Sequence, residues 1–196
     1  QRKIKDEKEI EYTRKACKIA HSGHKKVLEV LREGMTELDL SSEIENAHRK
    51  AGHEGLYFMR PFDFFMGRGP LASGANLSKI AGKIQSISGV GLSASIPMGA
   101  SKKAIKEGEM IVVDIPTHYF GYHADQSRTY VLGKPPDICK TMYSRMIEIA
   151  NQLIKTLKPG GTCAALYKQA FTVAEELGVS DCFMCLGIDL KRVPFI

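Results

Sequence analysis

Two acids stand inside segments that otherwise read as β-strand. The stretch "IVVDIPTHYFGYHADQSRTYVLG" (111–133) holds Asp114 and Asp125 on either side of a reversal. Aspartate is a poor strand former, because its short side chain competes with the ladder for backbone hydrogen bonds. A two-residue loop at 119–120 would set Asp114 directly opposite Asp125, with Cβ atoms about 4.5–5.5 Å apart. Like charges so placed repel, and a half-apolar site makes the repulsion worse. Either one carboxyl keeps a proton or a cation lies between them. An all-oxygen pair suits a hard divalent ion, and two-metal hydrolytic sites use bridging carboxylates. The alternative pairs Asp125 with Arg128 or a turn, and leaves Asp114 in water at a strand end. His123, two residues from Asp125, shares its strand face. It is a candidate for substrate contact, or simply a half-exposed histidine.

The elements that must position these residues follow from periodicity. Residues 5–34 read as one or two helices with an apolar stripe through Ile10, Cys17, Ala20, Val27 and Leu31, ended by Gly34. Thr36 reads as an N-cap with Asp39 in the capping-box place, Leu40, Ile44 and Ala47 on one face, and Gly52 as the stop. Aromatic strand-like residues fill 55–66, a Gly- and Ser-rich segment covers 67–99, and strands are expected at 110–115 and 121–132. Helices follow at about 137–158 and 162–177. This second helical pair repeats the first: Leu31, Gly34, Thr36, Leu40 and Gly52 recur as Leu157, Gly160, Thr162, Leu166 and Gly178, at a constant offset of 126. Duplication explains that better than shared helix grammar. After Gly178 only eighteen residues remain, so the second copy is expected to lack its share of the sheet.

With 196 residues, 43% apolar and 26% charged, the chain has the composition of a globular protein. No apolar run approaches the ~20 residues of a membrane span. The net charge of +6 is scattered, without an aromatic-interleaved basic stripe, so neither nucleic acid nor membrane is an expected partner. Five irregularly spaced cysteines favour reduced thiols and a cytoplasmic setting over a disulfide framework. "CFMC" (182–185) reads as buried thiols. His21 and His24, three apart on a helix, read as surface histidines. "GVGLSA" (89–94) is followed by Pro97 rather than a helix, which rejects a dinucleotide site. The chain opens "QRKIKDEKEI" without an initiator Met and reads as a piece of a longer polypeptide.

"VVDI…GYHADQSRTYVLGKP" resembles the signature of the creatinase/prolidase/methionine-aminopeptidase superfamily, peptidase family M24: a strand Asp followed by Y-x-x-D-x-T-R-T. Tyr122, Asp125, Arg128 and Thr129 match, and Ser127 replaces the first Thr. "DEKEIEYTRKACKIA", "REGMTELDLSSEIENAHRKAG" and "IKEGEMIVVDI" resemble the family's opening helix, its second helix and the run into the first metal ligand. The similarity is closest to the Xaa-Pro aminopeptidase/dipeptidase branch. It implies the α+β pita-bread fold with two pseudo-symmetric halves, here one incomplete domain over 1–196 with a first half of about 1–135 and the start of a second at about 136–196. It also implies that Asp114 and Asp125 are the first metal ligands for two divalent ions (Mn, Co, Zn or Fe). The substrate would be a peptide, with proline in second position, and the complete protein a homodimer. Arg128 would brace the hairpin.

The sequence departs from the pattern at three points. The family's further ligands, one His and two Glu, lie beyond "KRVPFI" (191–196), so the fragment alone is expected to be inactive. The usual Asp-x-Gly is Asp114-Ile115-Pro116, which predicts altered local geometry, since Pro cannot donate to a ladder. The segment "SASIPMGA" (93–100) lacks the His that many members carry before the first Asp. A non-catalytic pita-bread module that binds peptides or proteins, and a creatinase-like metal-free hydrolase, are the alternatives; retention of both aspartates argues against the latter.

Overall fold

A helix must bury its apolar stripe, and both helices of the first unit do so against one face of a hairpin. In the computed structural model, residues 4–58, 65–66, 69–79, 88–184 and 187–188 are described. The chain divides into a first unit, Gln1–Gly133, and a second, Lys134–Ile196. The first contains α1 (Glu7–Val30), α2 (Glu37–Lys50), the short antiparallel pair β1 (Tyr57–Phe58) and β2 (Phe65–Met66), and a three-stranded antiparallel sheet. That sheet has the order β3 (Leu71–Ser73), β4 (Met110–Tyr119), β5 (Tyr122–Val131).

Residues 5–34 form a single helix followed by a turn. Asp6 and Glu9 close a reciprocal capping box at its start, and Glu9 also accepts the Tyr122 hydroxyl, 2.9 Å away, tying the helix to the hairpin. Thr36 and Asp39 cap α2 as the sequence predicts. The alternation of β4 sends Ile111, Val113 and Ile115 toward Ala16, Ala20 and Val27 of α1 and Leu40 and Ile44 of α2, forming the core. Gly23 is where these elements meet: a Cβ there would stand 2.7 Å from Ile115 Cδ1 and 3.2 Å from Ile44 Cγ2. His24, read as a surface residue from sequence, is buried on the core side, its ring bonded to the Tyr130 hydroxyl (2.8 Å) and the Gln126 carbonyl (2.9 Å). The buried face of α1 runs through Ala16, Ile19, Ala20, Gly23, His24 and Val27. It is displaced from the expected stripe, whose Ile10 and Cys17 are exposed, and that displacement carries His24 inward.

Glu37, at the start of α2, is fully buried. Its Oε1 accepts the Ser73 amide (2.7 Å) and hydroxyl (2.8 Å), its Oε2 the Ser101 amide (3.0 Å) and hydroxyl (2.6 Å), and Asn76 Nδ2 donates to both at 3.1 Å. One side chain thus joins the helix to β3 and to the segment before β4.

The second unit holds α3 (Asp137–Thr156), α4 (Cys163–Glu176) and the short strands β6 (Phe183–Met184) and β7 (Gly187–Ile188). Its core gathers Ile149, Ala170, Val173, Ala174 and Val179. The repeat is visible in the backbone. Helices α2 and α4 begin and end at the sequence offset, and both are capped by a Thr hydroxyl at 3.1 Å. The His53-to-His48 amide bond recurs as Val179 to Ala174. The "CFMC" reading and "KRVPFI" fall wholly or partly outside the described residues.

Replacing Glu37 by Ala would strand two buried backbone amides at once. Urea denaturation should show a loss of about 3 kcal/mol, several-fold more than removal of the Thr36 cap, worth about 1 kcal/mol.

Candidate metal centre

The register of the hairpin decides where the two aspartates stand. Tyr119 pairs with Tyr122, leaving Phe120 and Gly121 as the two-residue loop, rather than 119–120. Both have positive φ, 49° and 76°, the conformation of the type I′ turn that matches strand twist. Glycine tolerates it freely, so Gly121 draws the loop onto itself and its neighbour. Asp114 therefore faces Ser127, and Asp125 faces Pro116. The direct opposition expected from sequence is corrected to a diagonal one. Both aspartates remain on the same face, the one turned away from the helices.

The diagonal still brings the carboxyls together. Ser127 Oγ donates to Asp114 Oδ1 at 2.6 Å, fixing that carboxyl. The Asp125 carboxyl is pushed up to about 6 from its ordinary 3.8, first by lost hydration, then by the Asp114 charge and a hydrogen bond between the two carboxyls. The repulsion thus shows as a carboxyl that keeps its proton up to about pH 6 and is mostly ionised above it.

Asp114 lies mid-strand, not at a strand end, and β4 continues through Pro116 without a break. The even-numbered amides of β4 point away from β5: Asp114 donates to the Pro70 carbonyl (2.9 Å) and His118 to His53 Nδ1 (3.1 Å). Pro116 N faces that same side, beyond the end of β3, where no ladder bond is lost. The altered turn expected from Asp-Ile-Pro is therefore an uninterrupted strand. Gly69 meets the strand here, for a Cβ on it would fall 1.7 Å from the Asp114 carbonyl oxygen.

His123 stands on the carboxylate face beside Asp125. Its ring stacks on His118 at 4.1 Å and lies 5.0 Å from Tyr57. Burial lowers the His118 pKa, and burial with the two aspartates raises that of the Tyr57 phenol. Tyr57 and His118 were not singled out from sequence, although the alternation that selects His123 also selects His118, opposite it. Arg128 is on the other face and donates to the Ser127 carbonyl at 2.8 Å. The segment 89–99 carries isolated bridges, Gly89 to Gly99 and Ser93 to Ile96, and no helix starts there. Among the described residues, no group of three His, Cys, Asp or Glu side chains gathers to cage an ion, and no helix is long and apolar enough to cross a membrane.

A helix-backed hairpin with two acids on its open face belongs to the pita-bread class of metallopeptidases. The chain is a member of metallopeptidase family M24, whose profile matches residues 11–196. It is similar to the probable dipeptidase PepE of Mycobacterium tuberculosis, 28% identical over 201 residues, which cover 100% of this chain and 47% of the relative. The X-Pro aminopeptidase of Thermotoga maritima matches with a TM-score of 0.74 at 28% identity, over 93% of this chain and 44% of its own. The prolidase of Pyrococcus furiosus gives 0.72 at 26%, over 92% and 46%. The chain spans about half the length of the curated relatives it matches.

The raised Asp125 fixes the sign of a pH effect. A carboxyl whose folded pKa exceeds its unfolded value adds stability below about pH 4 and loses it as pH rises through about 6. Asp125 still reaches solvent, so the difference is about 1–2 kcal/mol after screening. Urea unfolding should find Asp125→Asn more stable than the parent at pH 7.5 and equal to it at pH 4.

Proposed function

We propose that this chain is the aspartate-bearing part of a metal-dependent Xaa-Pro dipeptidase or aminopeptidase, in which Asp114 and Asp125 hold divalent ions. The observation that carries the reading is the carboxyl pair itself, two acids placed diagonally on one strand face, close enough that each repels the other. The donor set fits a hard divalent cation, being oxygen-only and anionic at neutral pH. Bound ions would supply Lewis-acid polarisation of a peptide carbonyl and a water acidified toward neutral pH.

The chain's own residues have definable parts in this reading. Ser127 orients the Asp114 carboxyl toward the open face, an arrangement that keeps a ligand in register with its ion. His123, His118 and Tyr57 form an aromatic wall beside the pair, on which an N-terminal residue or a proline ring would lie. Arg128 braces the hairpin from behind. The remaining ligands would come from polypeptide beyond residue 196, so the 196 residues alone are inactive.

The test uses the polypeptide extended through the residues that follow. With Mn²⁺ or Co²⁺ it should hydrolyse Xaa-Pro dipeptides, and Asp114→Asn or Asp125→Asn should lower kcat/KM at least about 100-fold. The 196-residue chain should give no turnover under the same conditions. Metal-independent hydrolysis, or an extended chain that binds peptides without cleaving them, would replace the reading with a metal-free hydrolase or a binding module.

A further inference from the structure

On the helix side of β4, between α2 and the edge left open beyond β3, lies a cleft of about 310 Å³, within the size range of small-molecule sites. Its floor is apolar, made by Ile44, Leu71, Val113 and Ile115. Its polar rim comes from the end of α2 and the turn after it. His48 and His53 line it, each only 6% exposed, with rings stacked at 4.1 Å and 12°.

Each imidazole uses one nitrogen within the protein. His48 Nε2 bonds the Thr117 hydroxyl at 2.7 Å, and His53 Nδ1 accepts the His118 amide at 3.1 Å. An accepting Nδ1 puts the proton of a neutral His53 ring on Nε2, a donor. Among the described residues, neither ring's second nitrogen has a partner. Both atoms are reachable from solvent. Burial holds His48 neutral, its pKa pushed down to about 3. The fixed positive charge is that of Arg49, at the mouth. Its guanidinium donates to the His53 carbonyl, and no carboxylate among the described residues pairs with it. Glu45, one helical turn before Arg49 on α2, also lines the cleft and accepts the Ser41 hydroxyl at 3.0 Å.

We propose that this cleft binds a small aliphatic carboxylic acid of amino-acid size. The carboxylate sits on Arg49 and the His53 ring N–H, and the hydrocarbon body lies on Ile44, Leu71, Val113 and Ile115. A guanidinium with a ring donor beside it is an anion receptor, and the apolar floor excludes inorganic anions as the preferred occupant. Two sources carry this chemistry: a simple branched acid, and a free amino acid. The site stands independently of the peptidase reading, although Asp114 and Pro116 of the same strand border it.

The test is nitrogen-15 NMR of the histidine rings in the 196-residue chain, titrated with 4-methylpentanoate, with L-leucine, and with neutral 4-methylpentanamide. The His48 and His53 signals should shift saturably with a Kd near or below about 1 mM for at least one acid, and at least about tenfold more weakly with the amide. A tighter response to leucine assigns the free amino acid, and an equal or weaker one assigns the simple acid. Arg49→Gln, at an exposed position, should weaken binding about tenfold or more. The proposal fails if neither acid shifts these rings, if the amide binds as well as the acids, or if a folded Arg49→Gln variant retains full affinity. The ring signals of the parent chain decide the matter even if the variant does not fold.

Discussion

Repulsion between Asp114 and Asp125 is the constraint around which the hairpin is arranged. Two like groups on one face are unfavourable anywhere in a sheet, and more so where neighbours have stripped water from one of them. The structure places them diagonally rather than opposite and steadies one with Ser127, and the repulsion that remains raises the pKa of Asp125. Everything else in the first unit keeps that face fixed. The apolar alternation of β4 anchors its other side to α1 and α2, Gly23 lets the helix come down onto Ile115, and Glu37 ties α2 to β3 and to the segment before β4.

The second unit shows the same local grammar with a different outcome. A Leu in extended conformation ends the long helix, a glycine with positive φ turns the chain, and a Thr hydroxyl starts the next helix in both copies. Only the first copy has the reciprocal half of the capping box, since Asp39 has Ala165 as its counterpart. Such a match, kept in backbone hydrogen bonds as well as in residue types, is what a duplicated pita-bread half preserves.

Much of this was legible in the sequence because the signals are local. Thr36 and Thr162 mark helix starts through their own hydroxyls, and the alternation at 110–119 names the face of each side chain. The register was not legible, since it depends on which residues of the reversal accept positive φ. Moving the loop by one residue changed the partner of every position on β5. The burial of His24 and of the pair His48 and His53 was also hidden. A histidine on a helix looks the same in sequence whether it meets water or a hydroxyl from a strand about a hundred residues away, as Tyr130 is from His24. Glu37 shows the same limit, because its five donor groups come from segments that composition marks only as loop.

Pro116 and Gly69 together have an effect on assembly. Past the end of β3 the flank of β4 meets the turn after α2, where His118 donates to His53 Nδ1 and accepts from the Glu54 amide. Among the described residues no further strand pairs with it there, and an open flank invites a stray strand from another molecule. An imino acid offers no hydrogen there, and the close passage of the chain at Gly69 occupies the space a newcomer would need. The stretch that carries the first acid is thereby guarded against the sticking to neighbours that a naked strand risks while a polypeptide is still being made.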